Sequence, residues 1–212
     1  MPKNEFFEKK GPFPLFELAK ALGSKTDLSK INNFDIHGFE SLENAGIDDM
    51  TFLNSSKYQN LSLKTKALVC ITSPNLTKYL PEKCIKLDVK NVLFAVTQVA
   101  KMFYPKADMD FLDDNLVEAQ NLKKTYPNVK FGKNVMLGLN VKIGKNSQVA
   151  SNTIIESNVT IGENCIIGSL VTIRNSILHN NVYIQDGCKI GVKGFGFIPV
   201  KDRNIRTPHT GK

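Results

Sequence analysis

The side chains best suited to moving protons near neutral pH are three histidines, His37, His179 and His209. They are scattered, and each reads as a solvated or structural imidazole rather than a general base. That count gives no set of three converging imidazoles for a zinc-like ion, so no metal centre is expected. Cys70, Cys84, Cys165 and Cys188 lie far apart in sequence and read as buried thiols, not as disulfides or metal ligands. Gly191, Gly194 and Gly196 do not open a helix after a lone strand, so they form no dinucleotide fingerprint. Phe52 and Tyr58 flank Ser55 in a segment of mixed polarity. Taken alone, these two rings read as a core aromatic and a surface tyrosine. No catalytic residue is expected from the residues by themselves.

The whole chain limits what such residues could serve. A net charge of +8 with a pI near 9.2 suits an acidic or phosphorylated partner, such as an acidic carrier protein or a nucleotide. The lysines are spread without a long basic block, and no aromatic and basic interleaving supports nucleic-acid binding. No apolar run approaches the length of a bilayer span, and Met1–Lys10 is charged, without the apolar centre of a signal peptide. A cytoplasmic location is expected. At 212 residues the chain has room for a real core and for two domains.

The elements that must position any site are clearest between Val129 and Gly191. Phe131, Leu137, Ile143, Val149, Ile155, Ile161, Ile167 and Ile173 recur every six positions, each preceded two places earlier by a small or aliphatic residue. Residues i and i+2 share one face of a strand, whereas six is a poor multiple of 3.6; the unit is a short strand and a turn. Three places after each of the first six stand Asn134, Asn140, Asn146, Asn152, Asn158 and Asn164, the residue type that, after glycine, best tolerates positive φ. The period predicts a parallel β-helix of hexapeptide repeats, three hexads to a triangular coil. After Ile173 the beat resumes one residue early at Leu178, Ile184 and Ile190, so one corner is a residue short.

Ahead of the repeats the pattern is mixed. Residues 1–10 read as a loose leader. Leu15, Leu18, Ala19 and Leu22 fall at helical spacing, and Val92–Phe103 carries an apolar face of the same period. Between them, segments around Phe34–Ile36, Met50–Phe52, Ala67–Ile71 and Lys86–Lys90 read as short strands. The expected organisation is a mixed α/β domain over 1–122 that caps the first coil, a β-helix over 123–192, and a loop tail over 193–212.

Taken in order, Gly11-Pro12-Phe13, Leu42-Glu43-Asn44-Ala45-Gly46, Phe52-Leu53-Asn54-Ser55-Ser56-Lys57-Tyr58, Asp88-Val89-Lys90-Asn91, the hexads and Gly194-Phe195-Gly196-Phe197 carry a family signature. The chain resembles the UDP-3-O-acylglucosamine N-acyltransferases of lipid A synthesis in Gram-negative bacteria, over nearly all of its length. The resemblance implies an α+β N-terminal domain followed by a left-handed parallel β-helix, truncated here. It also implies transfer of a 3-hydroxyacyl chain from acyl carrier protein to the 2-amino group of UDP-3-O-acyl-glucosamine, with no cofactor, in a homotrimer.

In that family the first domain grips uracil through a Phe-Leu-x-Asn-x-x-Tyr segment. By resemblance Phe52 and Tyr58 are then the rings that flank the base, and Ser55 takes the asparagine position. A hydroxyl can bond a uracil edge but cannot present donor and acceptor in one plane as an amide does. The family's general base is a histidine in a later coil, and none of His37, His179 and His209 matches its motif. The expectation for the chain ending at Lys212 is therefore an inactive fragment or half of a split enzyme. The alternative is a non-catalytic nucleotide-sugar-binding or trimeric scaffold module.

Overall fold

The computed structural model describes residues 6–210. They form two compact units, one of Lys9–Asp108 with Phe195–Pro208, the other of Met109–Gly194 with residues near both chain ends.

In the first unit a four-stranded parallel sheet takes its strands in chain order: Gly38–Phe39, Asp49–Phe52, Val69–Thr72 and Ile85–Asp88. Val69–Thr72 is buried along its whole length, because both faces of the sheet are covered. On one face Met50, Val69, Ile71 and Leu87 pack with Leu15 and Leu18 of helix Leu15–Ala21 and with Val92, Val99 and Phe103 of helix Val92–Phe103. The longer helix begins where Asn91 caps it, its side-chain oxygen accepting the Phe94 N–H at 3.1 Å. On the other face Cys70 packs with Leu42, Leu53, Leu80 and Cys84. A small antiparallel pair, Phe13–Pro14 with Asp35–Ile36, leads into the sheet.

The second unit is a stack of two-residue strands on three faces, the architecture of a left-handed parallel β-helix. One face carries Lys130–Phe131, Gln148–Val149, Ile166–Ile167 and Tyr183–Ile184; the next carries Met136–Leu137, Ile154–Ile155, Thr172–Ile173 and Lys189–Ile190; the third carries Lys142–Ile143, Thr160–Ile161 and Ile177–Leu178. Every pair is parallel, and Leu137, Ile155, Ile161, Ile167 and Ile173 fill the prism. The corner asparagines adopt φ between 55° and 66°, from Asn134 to Asn164. Three of them also stack: Asn134, Asn140 and Asn146 each donate a side-chain N–H to the asparagine one coil on, at 3.1–3.3 Å. The early beat after Ile173 is absorbed at the corner holding Asn175, φ 47°, so that Thr160 faces Ile177.

The cap on the first coil comes from residues placed by sequence in the preceding domain. Residues 109–122 lie in this second unit: Val117–Glu118 pairs antiparallel with Met136–Leu137, and Ala119 is buried in the prism core. Such a cap covers strand edges a solenoid would otherwise leave open. Two other expectations need correction. The tail is not a plain loop, since Phe197–Val200 and Arg203–Arg206 pair as an antiparallel hairpin; residues 211–212 lie outside the described residues. Of the leader expected over 1–10, residues 1–5 lie outside the described residues, but Phe7 is buried and the Lys10 N–H donates to the Phe103 carbonyl at 2.8 Å.

Candidate functional site

The carboxyl ends of parallel strands are where α/β sheets gather ligands, since loops diverge there and leave a crevice. Phe39 and Phe52 are the last residues of adjacent strands at that edge. Phe39 is in register with Met50, so Phe52, two residues further on, is its diagonal neighbour on the same face. Their rings stack with centroids 5.8 Å apart and planes 25° from parallel, both half-buried against the helix side of the sheet.

Beyond Phe52 the chain is pinned before it turns. The Leu53 N–H donates to the Ile71 carbonyl at 2.9 Å, the Thr72 hydroxyl donates to the Leu53 carbonyl at 3.2 Å, and the Leu53 side chain is buried on the opposite face. Ser55 then caps the short 3₁₀ turn Ser56–Tyr58, its hydroxyl oxygen accepting the Lys57 N–H at 3.3 Å. The Tyr58 N–H closes the turn on the Ser55 carbonyl at 3.2 Å, while the residue is 49% exposed. Below it the Ser62 hydroxyl donates to the Tyr79 carbonyl at 2.7 Å and ties the following helical turn, Gln59–Ser62, to its neighbour. The structure thus puts Ser55 and Tyr58 on one ordered turn with Phe52 at its root. The ring stacked on Phe52 is Phe39, a residue not picked out by sequence.

Charge gathers next to Phe39. The Glu40 N–H donates to the Met50 carbonyl at 3.0 Å. Burial pushes the Glu40 carboxyl above its ordinary range, the neighbouring Asp49 adds to this, and Lys9 opposes it. Burial likewise raises the Tyr104 phenol, with Glu40 and Asp49 contributing. Asp49 is held by the Gly46 N–H at 2.9 Å.

The histidines stay apart. His37 is exposed beside the sheet, with its N–H donating to the Asp48 carbonyl at 2.8 Å. His179 is exposed at a coil corner, where its carbonyl accepts the Cys165 thiol. His209 borders a cavity of about 380 Å³ whose lining includes Phe7, Asn175, Lys193 and Gly194. Lys193, itself 9% exposed, donates to the His209 carbonyl at 2.9 Å and lies over the Phe7 ring. Among the described residues, no group of three or more His, Cys, Asp or Glu side chains could hold a metal ion.

In most hexads the residue after the aliphatic position is glycine, as at Gly132, Gly138, Gly144, Gly162 and Gly168, and a second polar network on the β-helix explains two hexads that lack it. Glu156 and Arg174 stand one coil apart and pair, and Arg174 also reaches Asp110 at 3.3 Å. Asp113 accepts both the backbone N–H and the hydroxyl of Ser157 at 2.7 Å. Burial raises the Glu156 carboxyl; Arg174 opposes that shift, while Asp113 and Asp110 add to it.

Two family models match the chain. Residues 33–102 match the UDP-3-O-(3-hydroxymyristoyl) glucosamine N-acyltransferase family, LpxD, and residues 140–175 match the bacterial transferase hexapeptide (six repeats). The first match covers the sheet, the Phe52–Tyr58 turn and most of helix Val92–Phe103. By sequence, the chain carries a domain of that N-acyltransferase family over residues 33–102. It is 42% identical over 213 residues to UDP-3-O-acylglucosamine N-acyltransferase 2 of Legionella pneumophila strain Philadelphia 1, covering 100% of this chain and 62% of that protein. It is 37% identical to the enzymes of that family from Granulibacter bethesdensis, over 98% of this chain and 60% of the relative, and Rickettsia bellii, over 100% and 62%. The chain therefore spans about three-fifths of the length of these relatives.

Proposed function

We propose that the first unit is a uridine-nucleotide site serving an N-acyltransferase reaction. The substrate is UDP-3-O-acyl-glucosamine, and its 2-amino group receives a 3-hydroxyacyl chain from acyl carrier protein. Phe52 and Tyr58 contact the uracil by stacking, and Ser55 bonds its edge. The observation that carries this reading is the ordered turn at the carboxyl edge of the sheet, which holds Ser55 and Tyr58 one short turn from Phe52, within the stretch matched by the family. Aromatic faces suit a base because stacking costs little side-chain entropy and adds about 1–3 kcal/mol per base.

The net charge of +8 supports an acidic carrier as acyl donor and an anionic diphosphate as ligand. Exposed apolar side chains on the β-helix, among them Leu139, Ile166, Leu170 and Ile177, support association of repeat units, in a homotrimer by family resemblance. No described helix is long and apolar enough to cross a membrane. By family resemblance the reaction belongs to the cytoplasm. No acid–base role is assigned to His37, His179 or His209, none of which matches the family's histidine motif.

Calorimetric titration of the purified protein with a UDP-sugar, beside a Phe52→Ala, Tyr58→Ala double variant, tests the site. Saturable binding that the double variant loses is expected. A well-folded protein that binds no UDP-sugar, or a double variant that binds as well as the parent, overturns the assignment.

A further inference from the structure

Phe52 ends its strand, and the next residue turns its side chain to the opposite face of the sheet. A terminal phenylalanine of this kind has freedom in χ1 and in ring rotation unless something fixes it. Phe39 does so. It is the last residue of the neighbouring strand, its diagonal position is set by the Phe39–Met50 register, and it stacks at 5.8 Å and 25°. Phe39 is itself backed by the sheet–helix core, so the pair is anchored on the protein side.

We infer that Phe39 is a positioning residue for the nucleotide site, holding the ring plane of Phe52 for stacking on the base without touching the base itself. The inference rests on the reading of the Phe52–Tyr58 turn as a uracil site. An offset stack restricts the tilt of both rings, whereas an aliphatic neighbour fills space without imposing a plane. Order already present before binding lowers the entropy a ligand must overcome.

The test titrates UDP into the wild-type protein and into Phe39→Leu, Phe39→Met, Phe39→Tyr and Phe52→Leu variants, with a thermal melt of each. The aliphatic variants at position 39 are expected to weaken UDP binding about five-fold, and Phe39→Tyr, which keeps the ring, to stay within about two-fold of wild type. The melts establish that each variant is folded at the titration temperature, so that a loss read at the ligand is a loss in folded protein. If wild type binds UDP and Phe52→Leu loses it, yet Phe39→Leu or Phe39→Met binds as wild type does, the inference fails and the site stands. The same holds if Phe39→Tyr binds as poorly as the aliphatic variants. If wild type does not bind UDP, the reading of the site fails and takes the inference with it.

Discussion

Replacing Ser55 by asparagine should strengthen nucleotide binding, and the structure allows the gain to be sized. Ser55 precedes the 3₁₀ turn and its oxygen accepts the Lys57 N–H at 3.3 Å. Asparagine caps a helical turn about as well as serine, so the turn that carries Tyr58 should keep its stability to within a few tenths of a kcal/mol, roughly. What changes is the group offered to a base. The serine oxygen is already an acceptor for Lys57 and has one O–H to donate, while an amide presents an oxygen and an N–H₂ in a fixed plane. One added hydrogen bond is worth about 1 kcal/mol net, or roughly a five-fold lower Kd. Calorimetric titration with a UDP-sugar at constant ionic strength reads this directly. A repeat in a Phe52→Ala background should abolish the gain, because the amide can meet the uracil edge only when the base is held by its ring partner. Unchanged or weaker binding by a Ser55→Asn protein of wild-type melting temperature would refute the reasoning. So would a gain that survives loss of Phe52.

Three further outcomes follow from the packing. Gly191 sits at φ 73°, where a Cβ would collide with the Arg174 carbonyl oxygen, so Gly191→Ala should cost roughly 3 kcal/mol and lower Tm by about 6–12 °C; a shift under about 2 °C would contradict the coil geometry. Burial pushes the Asp113 carboxyl up, but the hydrogen bonds from Ser157 and Asn115 more than offset this and leave its pKa below the ordinary 3.8. Its contribution is therefore complete above pH 3.8 and is lost as the pH falls through the lower folded value. Asp113→Asn should therefore melt earlier than wild type at pH 6 by a gap that narrows below pH 3.8; a gap constant with pH would count against the clamp on Ser157. Burial raises the Cys84 thiol to about 11 and pushes Cys70 higher still, so neither should react with a disulfide reagent at pH 8 until the protein is unfolded, as thiol titration with and without denaturant would show.

The two parts of the chain differ in how far they can be read from sequence, and the reason is the range of the contacts. In the β-helix every strand meets a strand one coil away, so period alone fixes register. The asparagine corners follow from local φ preference, and a single missing residue after Ile173 shifts the later pairs together. Helix Val92–Phe103 is equally local: an apolar face, an asparagine cap and the stop at Tyr104-Pro105 are all within its own sequence. The sheet edge is different. Short strands around Met50, Val69 and Leu87 can be recognised by composition, but nothing in the sequence says that Phe39 pairs with Met50, and that register alone brings Phe39 against Phe52. Sequence reasoning therefore finds Phe52, Ser55 and Tyr58 through a linear segment and passes over the ring that stacks on the first of them. The same limit hides the clamp from Asp113 to Ser157 and the 197–206 hairpin, where Pro199 and the Lys201–Asp202 turn obscure strand alternation. It also bears on Glu156 and Arg174. As single hexads they look like lapses in the glycine rule, but the coil period puts them one above the other, and a charged pair then occupies a position from which glycine's absence of a side chain would leave Asp110 without its guanidinium.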